Sequence, residues 1–226
     1  MGGMPEPILF LDIDGVLLTG RAWAMAVNAE ARELARRDPE AAAHAATFDA
    51  NAVRLLVGLV EETGAKLVVA SRWRYSVGPE ETLAKLVAQG VAASIFHADW
   101  CCPMNRIRQE KCHDILQWLR DHRLTPEPLC PAYPWPEGQT GDWKAEYEAA
   151  MASYRVEVDE FGFPFATVDD DGDLPRLVRT DFHEGLSRKA CAAIRRELLA
   201  WSGGPAVAGT VPPRLPRVPR GSSMLG

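Results

Sequence analysis

The sequence lacks the features that mark several large classes of protein. It has no apolar run long enough to cross a bilayer and no basic stretch before its first apolar run, so we expect neither a membrane span nor a signal peptide. Its five cysteines are odd in number and irregularly spaced, which favours reduced thiols in a cytoplasmic protein. Basic residues do not predominate, and the net charge of −6 argues against a protein that coats nucleic acid.

One stretch of cysteines and histidines invites comparison with zinc sites. His97, Cys101, Cys102, Cys112 and His113 lie close together in the sequence, but their spacing matches no common zinc module. A cysteine nucleophile has no supporting motif either. The sequence therefore favours neither chemistry in this stretch.

The most informative feature is an apolar run that ends in two acids. Ile8–Leu11 is typical of a buried parallel strand, and Asp12, Asp14 and Gly15 follow it at once. Side chains two positions apart on an extended chain share a face, and an unpaired buried carboxylate is costly. We therefore expect both acids at the open carboxyl end of a central strand, where α/β folds build their sites.

The rest of the chain alternates strands and helices. Such alternation predicts βαβ units, and hence an α/β fold with a Rossmann-like, mostly parallel sheet flanked by helices. Strands are predicted at Ile8–Leu11, Lys66–Ala70, Val91–Phe96, Phe163–Val168 and Arg176–Arg179, and helices at Asn51–Glu62, Pro79–Gln89, Asn105–Arg120 and Ser187–Trp201. Asp49 and Ser187 are the expected N-caps of two of these helices, and Gly64 is the expected stop of one.

Two insertions and a tail complete the organisation. The main domain is predicted to span residues 1–202. A small helical insertion after the first strand, residues 19–49, is either a cap over the site or a surface helix pair. Residues 124–160 form an insertion rich in proline and aromatic residues, suited to a recognition surface or to an irregular packed excursion. Residues 203–226 are rich in glycine, proline and arginine and are expected to be disordered.

The first motif, Asp12-Ile13-Asp14-Gly15-Val16-Leu17, resembles the opening of the haloacid dehalogenase-like (HAD) hydrolase superfamily. The resemblance implies that Asp12 is a nucleophile and Asp14 a general acid and base. The presence of an acid at Asp14 favours phosphoryl transfer over dehalogenation. Ser71, at the end of the second predicted strand, matches the hydroxyl residue of the superfamily's second motif.

The sequence Ser71-Arg72-Trp73-Arg74 is similar to a subgroup of small HAD domains found alone or inside RNA-repair proteins. Arg72 and Arg74 are therefore candidate phosphate contacts, with ordinary surface arginines as the alternative. The same resemblance makes Lys111 the candidate lysine that binds phosphate and keeps the nucleophile ionised. Arg108 is a further candidate for phosphate binding, and Arg106 or Arg108 is the alternative to Lys111.

A second apolar run closes on acids at Asp169 and Asp170, which match the metal-binding motif of the superfamily. A calcium EF-hand does not fit this loop, because Thr167 and Val178 stand where its first aspartate and last glutamate belong. Hard oxygen ligands and a phosphate substrate favour Mg²⁺. The resemblance implies a metal held by Asp12, the Asp14 backbone, Asp169 and Asp170.

These features predict a Mg²⁺-dependent phosphohydrolase that acts through an aspartyl-phosphate. The resemblance to RNA-repair domains suggests the end phosphate of a nucleotide or polynucleotide as substrate. The alternatives are a small-metabolite phosphatase of the same superfamily and a non-catalytic HAD-like binding or regulatory module. No membrane partner and no obligate protein partner are indicated.

Overall fold

A computed structural model of the protein describes residues 6–104, 111–122, 124, 142, 145–150, 152–153, 163–171, 174 and 176–200. Within these residues, one sheet of five parallel strands has the order β3-β2-β1-β4-β5. The strands are β1 (Ile8–Leu11), β2 (Lys66–Val69), β3 (Phe96–Cys101), β4 (Phe165–Asp169) and β5 (Leu177–Arg179). The α/β prediction, with a mostly parallel sheet, is confirmed.

Helices cover both faces of the sheet. They are α1 (Gly20–Ala24), α2 (Ala29–Leu34), α3 (Pro39–Ala45), α4 (Ala50–Thr63), α5 (Trp73–Ser76), α6 (Pro79–Ala88), α7 (Lys111–Asp121) and α8 (Arg188–Leu199), and residues 145–150 are also helical. In the part of the chain described, no helix has both the length and the apolarity that a bilayer span requires.

The central strand β1 is buried on both faces, and its side chains alternate between two hydrophobic clusters. Leu9 and Leu11 belong to the cluster that includes α4 and α8. Ile8 and Phe10 belong to the cluster formed with α7, where Phe10 meets Trp118 edge to face at 5.4 Å between ring centroids. This alternation follows from the two-residue period of a strand and explains why β1 is an uninterrupted apolar run.

The ends of α4 and α8 confirm the predicted helix signals. The Asp49 carboxylate accepts hydrogen bonds from Asn51 N at 2.8 Å and Ala52 N at 3.4 Å. Gly64 ends α4 with a φ of 66°, a left-handed conformation that glycine adopts without steric cost. Ser187 caps α8 by accepting from Ala190 N at 3.2 Å.

The predicted third strand, Val91–Phe96, was wrong in its position. Val91 is a buried residue that follows α6, and Ala93–Ile95 form a 3₁₀ turn. The strand starts only at Phe96 and runs along the edge of the sheet. An edge strand needs no continuous apolar run, because one of its sides faces no neighbouring strand.

The small helical insertion after β1 is confirmed and contains α1, α2 and α3. Its buried Asn28 donates from Nδ2 to Ala22 O at 2.8 Å and to Thr47 O at 2.9 Å, and accepts from Thr47 N at 2.6 Å. Gln89, after α6, donates from Nε2 to Ala46 O at 3.0 Å. The insertion is therefore folded around Asn28 and anchored to the main domain. Its role as a cap stays a prediction.

Candidate active site

The carboxyl end of β1 brings Asp12 and Asp14 to the edge of the sheet at which β2 and β4 also end. Asp12 is only 3% exposed, and its backbone N–H donates to Val168 O at 3.1 Å. Asp14 opens to solvent on one side and accepts a hydrogen bond at Oδ2 from Trp73 Nε1 at 3.0 Å. Burial by the surrounding protein, followed by the charge of Asp12, raises the pKa of Asp14 to about 6. Asp14 is therefore suited to proton transfer near neutral pH.

Lys111 joins two of the acids. Its Nζ lies 2.6 Å from Asp12 Oδ2 and 2.8 Å from Asp169 Oδ2. Burial by itself would lower the pKa of Lys111, but the carboxylates of Asp12 and Asp169 outweigh this effect and raise it. The ammonium group therefore stays charged, directly beside Asp12.

Asp169 and Asp170 reach the same place from the end of β4. Asp169 is fully buried, and its Oδ1 accepts from Asp171 N at 3.0 Å. Burial, and next the charge of Asp12, raises the pKa of Asp169 to about 6 and also raises the pKa of Asp170. Oxygen atoms of Asp12, Asp169 and Asp170 lie within 4.8 Å of one another. Three carboxyl groups are thus held at separations at which their charges repel.

Gly15 allows this close approach. Its φ of 65° lies in the left-handed region, and a Cβ at this position would come within 2.1 Å of Asp170 Cγ. A residue with a side chain would displace either the turn after Asp14 or the carboxyl group of Asp170. The glycine of the first motif is therefore required by the position of Asp170 in the metal-binding motif.

The donor set fits a hard divalent cation. Asp12 Oδ1 is buried and, among the residues that the structure describes, receives no hydrogen bond, whereas Oδ2 is bound by Lys111. A buried acceptor without a donor is costly, and clustered carboxylates repel one another. A cation among Asp12, Asp169 and Asp170 would relieve both penalties, and an all-oxygen set suits Mg²⁺.

Ser71 and Arg72 lie at the end of β2, next to the end of β1. Ser71 is buried, and its Oγ lies 3.4 Å from the backbone N of Trp73, which begins α5. Arg72 is exposed to solvent. These placements suit phosphate binding by Ser71 and substrate binding by Arg72, and both roles stay predictions.

Arg74 has a different environment from Arg72. It is buried, and its Nε donates to Ser71 O at 2.8 Å while its Nη2 donates to Asp114 Oδ2 at 2.9 Å. Its remaining hydrogen bonds reach three carbonyl oxygens, those of Ala70, Cys102 and Pro103. A guanidinium group has five N–H donors, and these five acceptors occupy all of them. Arg74 therefore joins the ends of β2 and β3 to α7, and no donor remains for a phosphate.

Three residues remain from the motifs of the sequence: Arg106, Arg108 and Trp73. Arg108 and Arg106 lie outside the described residues, so their predicted roles stay predictions. Trp73 was named in the second motif, but no role was predicted for it. The signal that marks it is its position two residues after Ser71, where a short helix directs it back to the end of β1.

Comparison with known proteins identifies the family of the chain. No curated protein and no solved structure matches the chain. A family model described as the HAD domain in Swiss Army Knife RNA repair proteins matches residues 8–133, which contain Asp12, Asp14, Ser71 and Lys111. The match ends before Asp169, which the pairing of β4 with β1 brings to the site. Because the model covers more than half of the 226 residues, the chain belongs to the family of HAD domains in Swiss Army Knife RNA repair proteins, a family of hydrolases.

Proposed function

We propose that the protein is a Mg²⁺-dependent phosphohydrolase in which Asp12 is the nucleophile. The observation that carries this proposal is the different environment of the two carboxylate oxygens of Asp12. Lys111 binds its Oδ2, while Oδ1 is buried and receives no hydrogen bond from the described residues. Beside it stands Asp14, a carboxyl group whose pKa is raised to about 6. A held carboxylate next to a carboxyl group whose pKa lies close to neutral pH is the pair that nucleophilic phosphoryl transfer needs.

In the first step, a carboxylate oxygen of Asp12 forms a bond to phosphorus as the bond from phosphorus to the leaving oxygen breaks. Asp14 gives its proton to the leaving oxygen, so the product departs as an alcohol. The phosphoryl group is now bonded to Asp12 as an acyl phosphate.

In the second step, a water molecule attacks the same phosphorus atom and loses a proton to Asp14. The bond between phosphorus and Asp12 breaks, and inorganic phosphate is released. Both carboxyl groups return to their starting protonation states, so the cycle balances without another reactant.

Three further groups support the transfer. Lys111 offsets the negative charge between Asp12 and the phosphoryl oxygens, and Ser71 offers a hydroxyl group at the end of β2. Mg²⁺ held by Asp12, the Asp14 carbonyl, Asp169 and Asp170 would supply further charge compensation to the phosphoryl group.

The substrate class that we propose is the end phosphate of a nucleotide or polynucleotide. The family description, a domain of RNA repair proteins, supports it, and so does the exposed Arg72 beside Ser71. The net charge of −6 is unfavourable for a long polyanion and favours a short end or a single nucleotide. A small phosphorylated metabolite is the second candidate, on the same charge argument.

The proposal is tested by phosphate release from an aryl phosphate, mononucleotides and a 3′-phosphorylated oligonucleotide, with and without Mg²⁺. We expect release by the wild type that requires Mg²⁺ and disappears in Asp12→Asn. A preference for the oligonucleotide or mononucleotide supports the substrate class, and a preference for a metabolite overturns that part alone. Folded wild type that binds Mg²⁺ but releases no phosphate from any substrate would favour a non-catalytic module.

A further inference from the structure

A second group of metal-ligating side chains lies at the edge of the sheet, away from the four aspartates. His97 and Asp99 belong to the edge strand β3, and His122 follows the last residue of α7. One ligand atom from each of these residues lies within 4.8 Å of the other two. Lys111, at the opposite end of α7, is roughly 16 Å away along a helix that rises about 1.5 Å per residue. The group is therefore separate from the aspartate site.

The first two side chains lie on a strand whose pairing with β2 is irregular. Leu67 on β2 pairs with Phe96, and Val69 pairs with Cys101. Two steps along β2 therefore correspond to five steps along β3. Such bulges on edge strands redirect side chains. Trp118 on α7 fixes the bulge by donating from Nε1 to Asp99 O at 2.8 Å.

The hydrogen bonds of His122 leave a place for a positive charge. Its Nδ1 lies 2.8 Å from Trp118 O, and because a carbonyl oxygen only accepts, Nδ1 carries a proton. The lone pair of Nε2 in the neutral ring then faces Asp99 Oδ2 at 3.1 Å. Two acceptors do not bond to each other, so either a proton or a metal ion belongs between them. A backbone carbonyl behind the other ring nitrogen is the usual support of a metal-binding histidine.

His97 supplies the third ligand atom. Its Nδ1 accepts a hydrogen bond from the backbone N of Asp99 at 3.0 Å. Nδ1 therefore carries a lone pair. Its ring stands edge to face against His122, with 5.3 Å between the ring centroids. A metal ion bound at Nδ1 would replace the hydrogen bond from Asp99 N, which water can then accept.

We propose that His97, Asp99 and His122 bind one divalent ion of the zinc class, which joins β3 to the end of α7. Two imidazole nitrogens and one carboxylate suit zinc and its neighbours, whereas Mg²⁺ prefers oxygen ligands alone. Among the described residues, the group of ligand atoms contains neither Cys101 nor Cys102. This ligand set contains no cysteine, so it differs from the common zinc modules that the spacing of the cysteines and histidines in the sequence did not match.

The test uses the full chain, freed of metal with a chelator and returned to millimolar Mg²⁺, which occupies the aspartate site. Zinc is then added at micromolar concentration and its uptake is measured by calorimetry, with Co²⁺ as a visible probe of nitrogen coordination. We expect one equivalent of zinc to bind, the melting temperature to rise, and the ring ¹⁵N signals of His97 and His122 to shift.

His97→Gln and His122→Gln should each lose the bound zinc and the gain in melting temperature. His44→Gln removes an exposed histidine from α3 and should retain both. The inference is wrong if wild-type protein takes up no zinc in the presence of Mg²⁺, or if His122→Gln takes it up as the wild type does. In that case a proton joins His122 to Asp99, and the ¹⁵N signals of His122 show two protonated nitrogens that zinc leaves unchanged. Because zinc uptake by wild type decides the question, a variant that fails to fold does not obscure it.

Discussion

Trp73 Nε1 donates a hydrogen bond of 3.0 Å to Oδ2 of Asp14, the proposed general acid and base. The indole is buried, and its ring packs against Phe48 at 5.7 Å between centroids. Phe48 lies at the end of the insertion that follows β1, so the insertion supports the ring that orients Asp14. Trp73 is therefore a positioning residue of the proposed reaction.

Trp73→Phe should change the pH dependence of the reaction. The N–H stabilises the ionised form of Asp14, so its removal raises the pKa of that carboxyl group further above its usual value. A hydrogen bond to a charged group is worth about 1.5–3 kcal/mol, which corresponds to a rise of about 1–2 pH units. The basic limb of kcat/KM, which reports the acid of the free enzyme, should move to higher pH by that amount.

Trp118→Phe is the matched control for this experiment. It removes an indole N–H that bonds to Asp99 O, on the opposite side of the sheet from Trp73. Its pH profile should coincide with that of the wild type. A Trp73→Phe profile that keeps the wild-type limb would show that the indole does not act through Asp14.

Arg74→Met should destabilise the protein severely. It leaves the buried carboxylate of Asp114 without its cation and removes donors from four carbonyl oxygens. Breaking a buried ion pair by removing one partner costs about 3–5 kcal/mol. Urea denaturation should show this loss, and Arg74→Lys should recover little of it, because an ammonium group has three donors in place of five.

Arg72→Met is the contrasting variant, because this neighbouring arginine is exposed. We expect a stability within about 0.5 kcal/mol of the wild type, as for most surface substitutions. If Arg72 binds substrate, KM for a nucleotide substrate rises while kcat stays close to the wild-type value. Equal stability losses for the two arginine variants would contradict the separate roles assigned to Arg72 and Arg74.

Much of this site was predictable because its residues follow apolar strands. In a parallel sheet, all residues at strand ends share one edge, so Asp12, Ser71 and Asp169 were expected together before any contact was known. Their order in the sequence did not reveal which neighbour each one touches. The bonds of Lys111 to both Asp12 and Asp169 depend on how α7 is placed against the sheet, which sequence patterns do not define.

The errors have identifiable physical causes. Arg74 was predicted to contact phosphate, with a surface position as the alternative, because arginine is seldom buried, but a complete set of five protein acceptors makes its burial possible. The third strand was predicted too early in the sequence because Val91 and Phe96 are both apolar, but for separate reasons. Val91 lies in a turn that faces the core, whereas Phe96 begins the strand. His122 drew no attention because its partners, His97 and Asp99, are brought to it by a bulge that has no clear sequence signal.

Asp169→Asn should stabilise the metal-free protein at neutral pH. The folded protein holds the proton of Asp169 more tightly than the unfolded chain, with a pKa of about 6 against 3.8. Stability therefore falls as the pH rises from about 4 through 6, and the cost is fully present above pH 6. Neutralising this group at pH 7.5 should raise the free energy of unfolding by on the order of 1–3 kcal/mol, whereas at pH 4 the variant should match the wild type.

Mg²⁺ should reverse that ranking. At pH 7.5 it should raise the melting temperature of the wild type, by binding the folded state alone, and should leave Asp169→Asn unchanged. Asp171→Asn, which alters an exposed neighbour, should respond to Mg²⁺ as the wild type does. A full Mg²⁺ response in Asp169→Asn would remove this residue from the metal site.

Lys111→Met should lower kcat by about 10²–10³-fold, as the loss of one charge-stabilising group typically does. The side chain keeps its length but no longer offsets the charge of Asp12 and Asp169. Lys66→Met, which removes a half-buried lysine bonded to Ser94 O at the other end of β2, should retain wild-type kcat. An unchanged kcat in Lys111→Met would assign the catalytic cation to another residue.

The central claim is that Asp12 carries the phosphoryl group, and trapping that group tests it most directly. Asp14→Asn should still accept phosphate from an aryl phosphate, whose leaving group needs no proton, but should activate water poorly. The variant is mixed with the substrate and Mg²⁺, quenched in acid and digested for mass spectrometry. We predict a phosphoryl group on Asp12 that is absent when Asp12→Asn is added to the same chain. Aryl phosphate cleavage with no label at Asp12, or a label on another residue, would contradict the account.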